Sequence, residues 1–213
     1  MAKLVLTSLL ETLYMVFLST IFSLIIGFPL GILLIITEEG NIWEKPLINK
    51  ILSSAVNILR SIPFIILMIL VFPLSKFIVG KTIGTTATIV PLSIAAAPFV
   101  ARVMESSIGE IDKGVMESSL AMGATVPEII KMVLIPESLP SIISGITLTI
   151  INLIGYSAMA GAIRGRGLGN LAVRFGLYKF QTDIMIASLI VIIILVQGIQ
   201  IIGSQIAMRI DKR

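Results

Sequence analysis

Five long stretches of this chain lack Asp, Glu, Lys and Arg altogether. They occupy residues 12–37, 61–75, 82–101, 138–163 and 184–208. A helix needs about 20 mainly apolar residues to cross the hydrocarbon core of a bilayer. Only helices and closed barrels satisfy their backbone hydrogen bonds in that environment. The sequence therefore predicts an all-α, polytopic membrane protein with five transmembrane helices.

The five spans are predicted at about residues 13–36, 59–77, 83–101, 142–163 and 184–207, within one domain that covers residues 8–208. Arg60 falls at the start of the second span, where its long side chain reaches the lipid–water interface. Residues 38–50 are interpreted as a short polar connection. Arg102 closes the third span, and residues 103–137 form the central loop between spans three and four.

Composition argues against several classes of function. The chain is 56% hydrophobic and 13% charged, its formal net charge is +4, and it contains no Cys and no His. It therefore lacks thiolate and imidazole metal ligands and the usual general base, so we predict no metal site, no bound cofactor and no enzymatic role. The positive charge suits contact with anionic membrane lipid, whereas the absence of a Lys/Arg run argues against nucleic acid. No phosphate-binding ATPase motif is present either.

The central loop contains two short helices joined by a turn, according to its residue pattern. Gly123 stands where the end of a helix favours a positive φ, which glycine adopts without a Cβ clash. Thr125 and Glu128 have the spacing of a capping box at the start of the second helix. Pro136 is expected to end that helix.

The second of these helices is amphipathic. Its apolar residues recur at the spacing of one helix face, and they are Val126, Ile129, Ile130, Val133 and Leu134. A helix this short is marginal alone, so this face must pack against something. Three interpretations are open: the face packs on the protein's own base, it lies in the lipid interface, or it fits a groove on a partner protein.

This segment resembles the cytoplasmic signature of the permease subunits of ATP-binding-cassette importers. That signature reads Glu-Ala-Ala, three residues, Gly, nine residues and Ile-x-Leu-Pro. Here residues 117–119 are Glu-Ser-Ser, Gly123 follows after three intervening residues, and residues 133–136 are Val-Leu-Ile-Pro after nine more. The resemblance implies that residues 103–137 form a cytoplasmic helix-turn-helix coupling loop. The residues that it implies for docking on an ATPase are Glu117, Gly123, Ala124, Thr125, Glu128 and Pro136.

Three further segments, at residues 60–74, 89–107 and 154–163, resemble the methionine import permeases of bacteria, and the match covers about residues 10–208. It implies a permease subunit that moves methionine or a similar amino acid by alternating access across the bacterial plasma membrane. The implied partners are a second copy of this chain, two ATPase subunits that hold the ATP, and an extracytoplasmic substrate-binding protein. With the central loop in the cytoplasm, five spans place the N-terminus outside and the basic C-terminal tail, residues 209–213, inside.

Arg164 and Arg166 depart from that family, whose members carry small residues at these two positions. They either anchor the chain at the lipid interface or contact an acidic surface on an extracytoplasmic partner. The glycines among residues 161–169 follow a membrane helix rather than a β-strand, which argues against a phosphate-binding loop. Close helix packing is the interpretation that we favour for them.

No ionisable residue lies at the centre of a predicted span, which argues against ion-coupled transport. Tyr156, Ser157 and Met159 are candidates for lining a substrate path, with core packing as the alternative. Two other functions remain open: a membrane scaffold whose central loop docks a soluble partner, and a permease for another small amino acid. An intramembrane hydrolase is disfavoured, because the spans offer hydroxyl groups but no base to activate them.

Overall fold

The computed structural model describes residues 2–163 and 165–211, so the expectations for Arg164 and for residues 212–213 lie outside the described residues. Within those ranges the chain forms nine α-helices and no strand, which confirms the all-α prediction. The helices are α1 (Ala2–Ile36), α2 (Pro46–Ser61), α3 (Phe64–Val79), α4 (Thr85–Gly109), α5 (Lys113–Ala121), α6 (Val126–Ile129), α7 (Ile135–Ile163), α8 (Leu168–Gly176) and α9 (Thr182–Ile210).

Among the described residues, four helices are long and apolar enough to cross a membrane: α1, α4, α9 and the continuous helix Val126–Ile163, which contains α6 and α7. Together α2 and α3 are also long and apolar enough, but the chain bends by 105° between them. If they form one broken span, the protein has a fifth crossing. The prediction of a polytopic membrane protein is therefore confirmed, with four or five candidate spans. The predicted first and fifth spans, residues 13–36 and 184–207, lie within α1 and α9.

The second predicted span, residues 59–77, is not a continuous helix. The chain turns between α2 and α3, where Ile62 is extended with φ −80° and ψ 124° and Pro63 precedes α3. A proline pushes the residue before it out of the helical region, so the break has a local cause. α2 also begins inside residues 38–50, which the sequence analysis interpreted as a polar connection.

Pro136 does not end a helix, contrary to the sequence prediction. α6 continues through a π-helical turn, Ile130–Leu134, into α7, and the N–H of Ile135 donates to the carbonyl of Ile130 five residues earlier. This wider turn makes room for the proline ring, which in a regular α-helix presses on the carbonyl four residues before it. The predicted fourth span, residues 142–163, is therefore the far part of one helix that starts at Val126.

Arg102 lies inside a helix rather than at its end, because α4 runs eight residues past the predicted third span, 83–101, to Gly109. Its guanidinium donates to the hydroxyl of Ser53 at 2.6 Å and to Oδ1 of Asn57 at 2.9 Å, and it also pairs with Glu105. These bonds hold α2 against α4. The first part of the predicted loop 103–137 is consequently helical.

Glycines allow the closest helix contacts in the core. A Cβ at Gly31 of α1 would stand 2.4 Å from Cβ of Met104 in α4, and a Cβ at Gly169 of α8 would stand 2.2 Å from Cα of Ala158 in α7. These distances are far below van der Waals contact, so only glycine permits the observed packing. For Gly169 this agrees with the interpretation of residues 161–169 as a site of close helix packing.

Candidate functional site

Gly123 makes the turn between α5 and α6. Its φ is +84°, a left-handed value that residues with a Cβ rarely adopt. Its N–H donates to the carbonyl of Leu120 at 2.9 Å, and the N–H of Ala124 donates to that of Ser119 at 3.1 Å. Carbonyls at the end of α5 are thereby satisfied. No described atom lies within 4 Å of where a Cβ would stand, so the demand for glycine is conformational.

Thr125 and Glu128 start α6 as the predicted capping box. The N–H and the hydroxyl of Thr125 donate to Oε2 of Glu128 at 2.8 and 2.6 Å. The hydroxyl bond, followed by the N–H bond, holds the pKa of the Glu128 carboxyl below its ordinary value. Glu128 lies well before the predicted span 142–163, and its negative charge also complements the dipole at a helix N-terminus.

The apolar face of the helix that starts with α6 packs on the protein's own base. Ile129 and Leu134 are fully buried. Their neighbours come from α1, α4, α5 and the segment before α5, and they are Ile35, Ile36, Ile108, Ile111 and Met116. Of the three interpretations left open by the sequence, the structure shows the first. This face is therefore not free to fill a groove on a partner.

The turn itself remains exposed. Met122 is 81% exposed and Leu120 is 43% exposed, and Gly123 and Thr125 are exposed beside them. We call these four residues the turn surface. Because the backbone groups around Gly123 bond within the chain, the turn keeps its shape without a partner. The exposed side chains of Leu120 and Met122 are therefore available for contact with another protein.

The remaining predicted site residues lie around this turn at different distances. Glu117 is exposed on α5, where it lines a small cleft of about 140 Å³ together with Asn41. Ala124 packs against the buried cluster beneath α6. Pro136 lies in the first turn of α7, about two helical turns beyond Glu128. The structure thus brings together the turn and its cap, with Glu117 to one side, and leaves Pro136 outside.

The three candidate path residues of α7 point in different directions. Tyr156 is half-buried and stacks on Phe64 with ring centroids 4.4 Å apart. Ser157 is 2% exposed and donates to the carbonyl of Ile154 in its own helix at 2.7 Å. Met159 is 48% exposed. The structure therefore does not bring the three side chains to one surface, and Ser157 is committed to the core.

Arg166 has a partner within the chain. Its guanidinium lies 3.6 Å from Oε1 of Glu11 in α1, and Oε2 of Glu11 accepts the N–H of Gly167 at 3.1 Å. Oγ1 of Thr12 accepts the N–H of Leu168 at 2.9 Å, so α1 caps the start of α8. The sequence did not reveal the role of Glu11, because a contact between residues about 155 positions apart leaves no local pattern.

The fold and the turn surface define a multi-span helical membrane protein that presents an ordered turn beyond its apolar spans. Residues 27–213 match the model of the binding-protein-dependent transport system inner membrane component, and this chain belongs to that family. Family membership confirms the resemblance to the permeases of ATP-binding-cassette importers.

Relatives match over nearly the whole chain. A probable D-methionine transport system permease protein of Vibrio cholerae is 45% identical over 212 residues, which cover 100% of this chain and 94% of the relative. The methionine import system permease protein of Bacillus subtilis is 48% identical over 181 residues, 85% of this chain and 82% of the relative. A solved methionine ABC transporter in inward-facing conformations superposes with a TM-score of 0.98 at 42% identity, covering 100% of this chain and 98% of that one.

Proposed function

We propose that this chain is the permease subunit of an ATP-driven, binding-protein-dependent importer of methionine. The observation that carries the proposal is the TM-score of 0.98 at 42% identity with a methionine transporter over the whole chain. A fold alone does not define a substrate. The added weight comes from sequence identity of 41–48% with several methionine permeases over most or all of this chain.

The working assembly contains two copies of this chain, two ATPase subunits and an extracytoplasmic binding protein. A two-fold pair is the usual geometry of a homo-oligomer. Only 6% of the residues in the most apolar stretch of α9 are buried, so this helix has faces for a second copy and for lipid. The ATP is bound and hydrolysed by the ATPase subunits. The assembly lies in the bacterial plasma membrane, with the N-terminus of this chain outside and its C-terminus in the cytoplasm.

The turn surface is the contact with the ATPase, with Glu117 beside it. The apolar face of the second helix is buried and cannot reach the ATPase, whereas the turn around Gly123 is exposed. α6 is anchored through Ile129 on α1, α4 and α5, and it continues into α7 as one helix. A displacement of the turn by the ATPase therefore moves α7 as a rigid body and alternates access to the path. Met159 lies on the exposed side of α7 and Tyr156 lies near it, whereas Ser157 no longer qualifies.

Uptake by the reconstituted complex tests this function. Proteoliposomes that contain this chain and its ATPase receive the binding protein and labelled methionine outside, with ATP or ADP inside. We expect accumulation with ATP only, and competition by unlabelled methionine but not by leucine or histidine. Equal competition by another small amino acid would reassign the substrate. Absence of any ATP-dependent uptake, with the partners bound, would favour the scaffold instead.

A further inference from the structure

Three amide side chains are exposed at the middle of predicted spans. Asn152 stands at the centre of span 142–163, and Gln197 and Gln200 stand near the centre of span 184–207. Gln200 donates to the hydroxyl of Ser204 at 3.1 Å, whereas within residues 2–163 and 165–211 no hydrogen bond is formed by the side chains of Asn152 and Gln197. An unbonded amide in hydrocarbon is strongly unfavourable, so these groups face protein or water in the assembly.

The three amides lie at the same depth. α7 and α9 run antiparallel. Thr147 of α7 lies against Gly203 of α9. Farther along α7, Ile154 shares a hydrophobic cluster with Ile192, which comes before Gly203 in α9. Thr147 fixes the register, since a Cβ at Gly203 would stand 2.1 Å from its Oγ1. Five residues beyond Thr147, Asn152 is therefore level with the part of α9 that lies between Gln197 and Gln200.

The amides also lie on the same side of the helix pair. At about 100° per residue, Asn152 is about 140° round α7 from Thr147. Gln200 and Gln197 are about 60° and 120° round α9 from Gly203. Counted along its own helix, each of these rotations has the same sense. Because α7 and α9 run antiparallel, rotations of the same sense turn the side chains toward the same side of the helix pair. We call the resulting surface of Asn152, Gln197 and Gln200 the amide face.

We propose that the amide face lines the substrate path, opposite the same face of a second copy of this chain, and that the Asn152 carboxamide contacts the substrate. The inference rests on the proposed function and deepens it. A carboxamide both donates and accepts hydrogen bonds, so it matches the carboxylate and the ammonium of a zwitterionic amino acid.

The surroundings of Asn152 suit a substrate with an apolar side chain. Leu148 and Met159 are 50% and 48% exposed on the same stripe of α7 and offer apolar contact on either side of the amide. Gly155 is exposed, and a Cβ there would have no described atom within 4 Å, so the helix leaves room beside Asn152. No Asp, Glu, Lys or Arg lies on this stretch to hold the substrate by its charge.

Cysteine labelling tests the inference directly, because this chain has no cysteine of its own. Asn152→Cys and Gln197→Cys are made separately, and each variant is assembled with the ATPase and the binding protein in proteoliposomes. A charged, water-soluble methanethiosulfonate reacts with the thiolate, which forms only where water reaches. Ile202→Cys is the matched control, since Ile202 is 59% exposed and only two residues from Gln200 but lies about 160° round α9 from it.

We expect the cysteines of the amide face to be labelled at least tenfold faster than the control, as read from the mass of this chain. Methionine-loaded binding protein with ATP should slow labelling at position 152. Equal rates at all three positions would overturn the inference. If the unmodified complex transports methionine but the amide face is not labelled, this inference alone fails. If the face is labelled but the unmodified complex does not transport, the proposed function fails.

A second pair of variants measures the path by transport. A Cβ at Gly155 would have no described atom within 4 Å, so the leucine of Gly155→Leu projects into open space beside Asn152, and we expect uptake to fall at least tenfold with assembly unchanged. Gly198→Leu is equally unobstructed at the same depth, but it lies about 160° round α9 from Gln200, so we expect uptake to be retained. Equal uptake by the two variants would contradict the assignment of the path.

Discussion

Two glycines of this chain are required for different physical reasons. Gly31 has no space for a Cβ, because that atom would stand 2.4 Å from Cβ of Met104. Gly123 has open space, but its φ of +84° is strained for any residue with a Cβ. The sequence predicted the second, since a glycine between two helical patterns is a local signal. The need for glycine at position 31 is not visible in the sequence, because Met104, which Gly31 contacts, lies on another helix.

Gly31→Ala should destabilise the contact between α1 and α4 by about 1–3 kcal/mol, as overpacking a tight core does. Gly109→Ala is the matched control within the same pair of helices, because its Cβ would meet Cδ1 of Ile35 at an ordinary 3.7 Å. Thermal unfolding of the two variants in detergent measures the difference. Similar unfolding temperatures would show that α1 and α4 do not pack as closely as described.

The cap of α6 should respond to pH. The folded-state pKa of Glu128 is lowered by the hydroxyl and then the N–H of Thr125, so the ionised form stabilises the cap. That contribution is present above the unfolded-state pKa of about 4.3 and is lost as pH falls through the folded-state pKa. The protection of the amides at the start of α6, measured as the exchange rate relative to the intrinsic rate at each pH, should fall across that window. Thr125→Val, which keeps the backbone bond, should accelerate exchange at neutral pH and reduce the pH dependence. Identical profiles would contradict this account.

At the scale of the elements, two prolines act in opposite ways. Pro63 breaks the second span and lets α2 pack across α4, whereas Pro136 is accommodated by the π-helical turn before α7. The sequence predicted the reverse, with an uninterrupted second span across Pro63 and a helix that ends at Pro136. Which proline breaks a helix depends on whether the preceding backbone can shift its hydrogen bonds, and a residue pattern does not reveal that shift.

The two prolines therefore differ in what their replacement does. Pro136→Ala should leave stability and uptake unchanged, because the helix already continues through this position. Pro63→Ala should lower stability by about 0.4–1 kcal/mol, because the unfolded chain gains freedom and Ile62 is no longer held extended. Thermal unfolding and uptake assays on both variants provide the measurement. A loss at Pro136 that matches the loss at Pro63 would contradict the continuous helix.

Arg102 is the side chain that fastens α2 to α4. Arg102→Ala removes its hydrogen bonds to Ser53 and Asn57, and we expect a loss of about 1–3 kcal/mol and faster proteolysis around α2. Arg166→Ala is the control, because its ion pair with Glu11 is long and its guanidinium is 67% exposed, so the expected change is within about 0.5 kcal/mol. Equal losses would show that the bonds of Arg102 do not hold α2.

For the whole molecule, hydropathy predicted the helical membrane class, because long uncharged runs leave few alternatives. The turn at Gly123 and its cap were also predicted, since their signals are local. The sequence did not decide what the apolar face that contains Ile129 packs against. An amphipathic pattern shows that a face is buried, but it does not identify the surface that buries it. The missed pairing of Glu11 with Arg166 likewise joins residues that are far apart in the sequence.

The central claim is that the turn at Gly123 transmits ATP-driven motion to the path. Gly80 provides a matched control, because it also has a positive φ of +76° and open space, and its N–H caps α3 by donating to Lys76 at 2.9 Å. Gly123→Pro and Gly80→Pro each lose one such bond and force φ to about −65°. The measurement is ATP hydrolysis stimulated by methionine-loaded binding protein in proteoliposomes. We predict that stimulation disappears with Gly123→Pro and persists with Gly80→Pro, whereas equal stimulation in both variants would contradict the account.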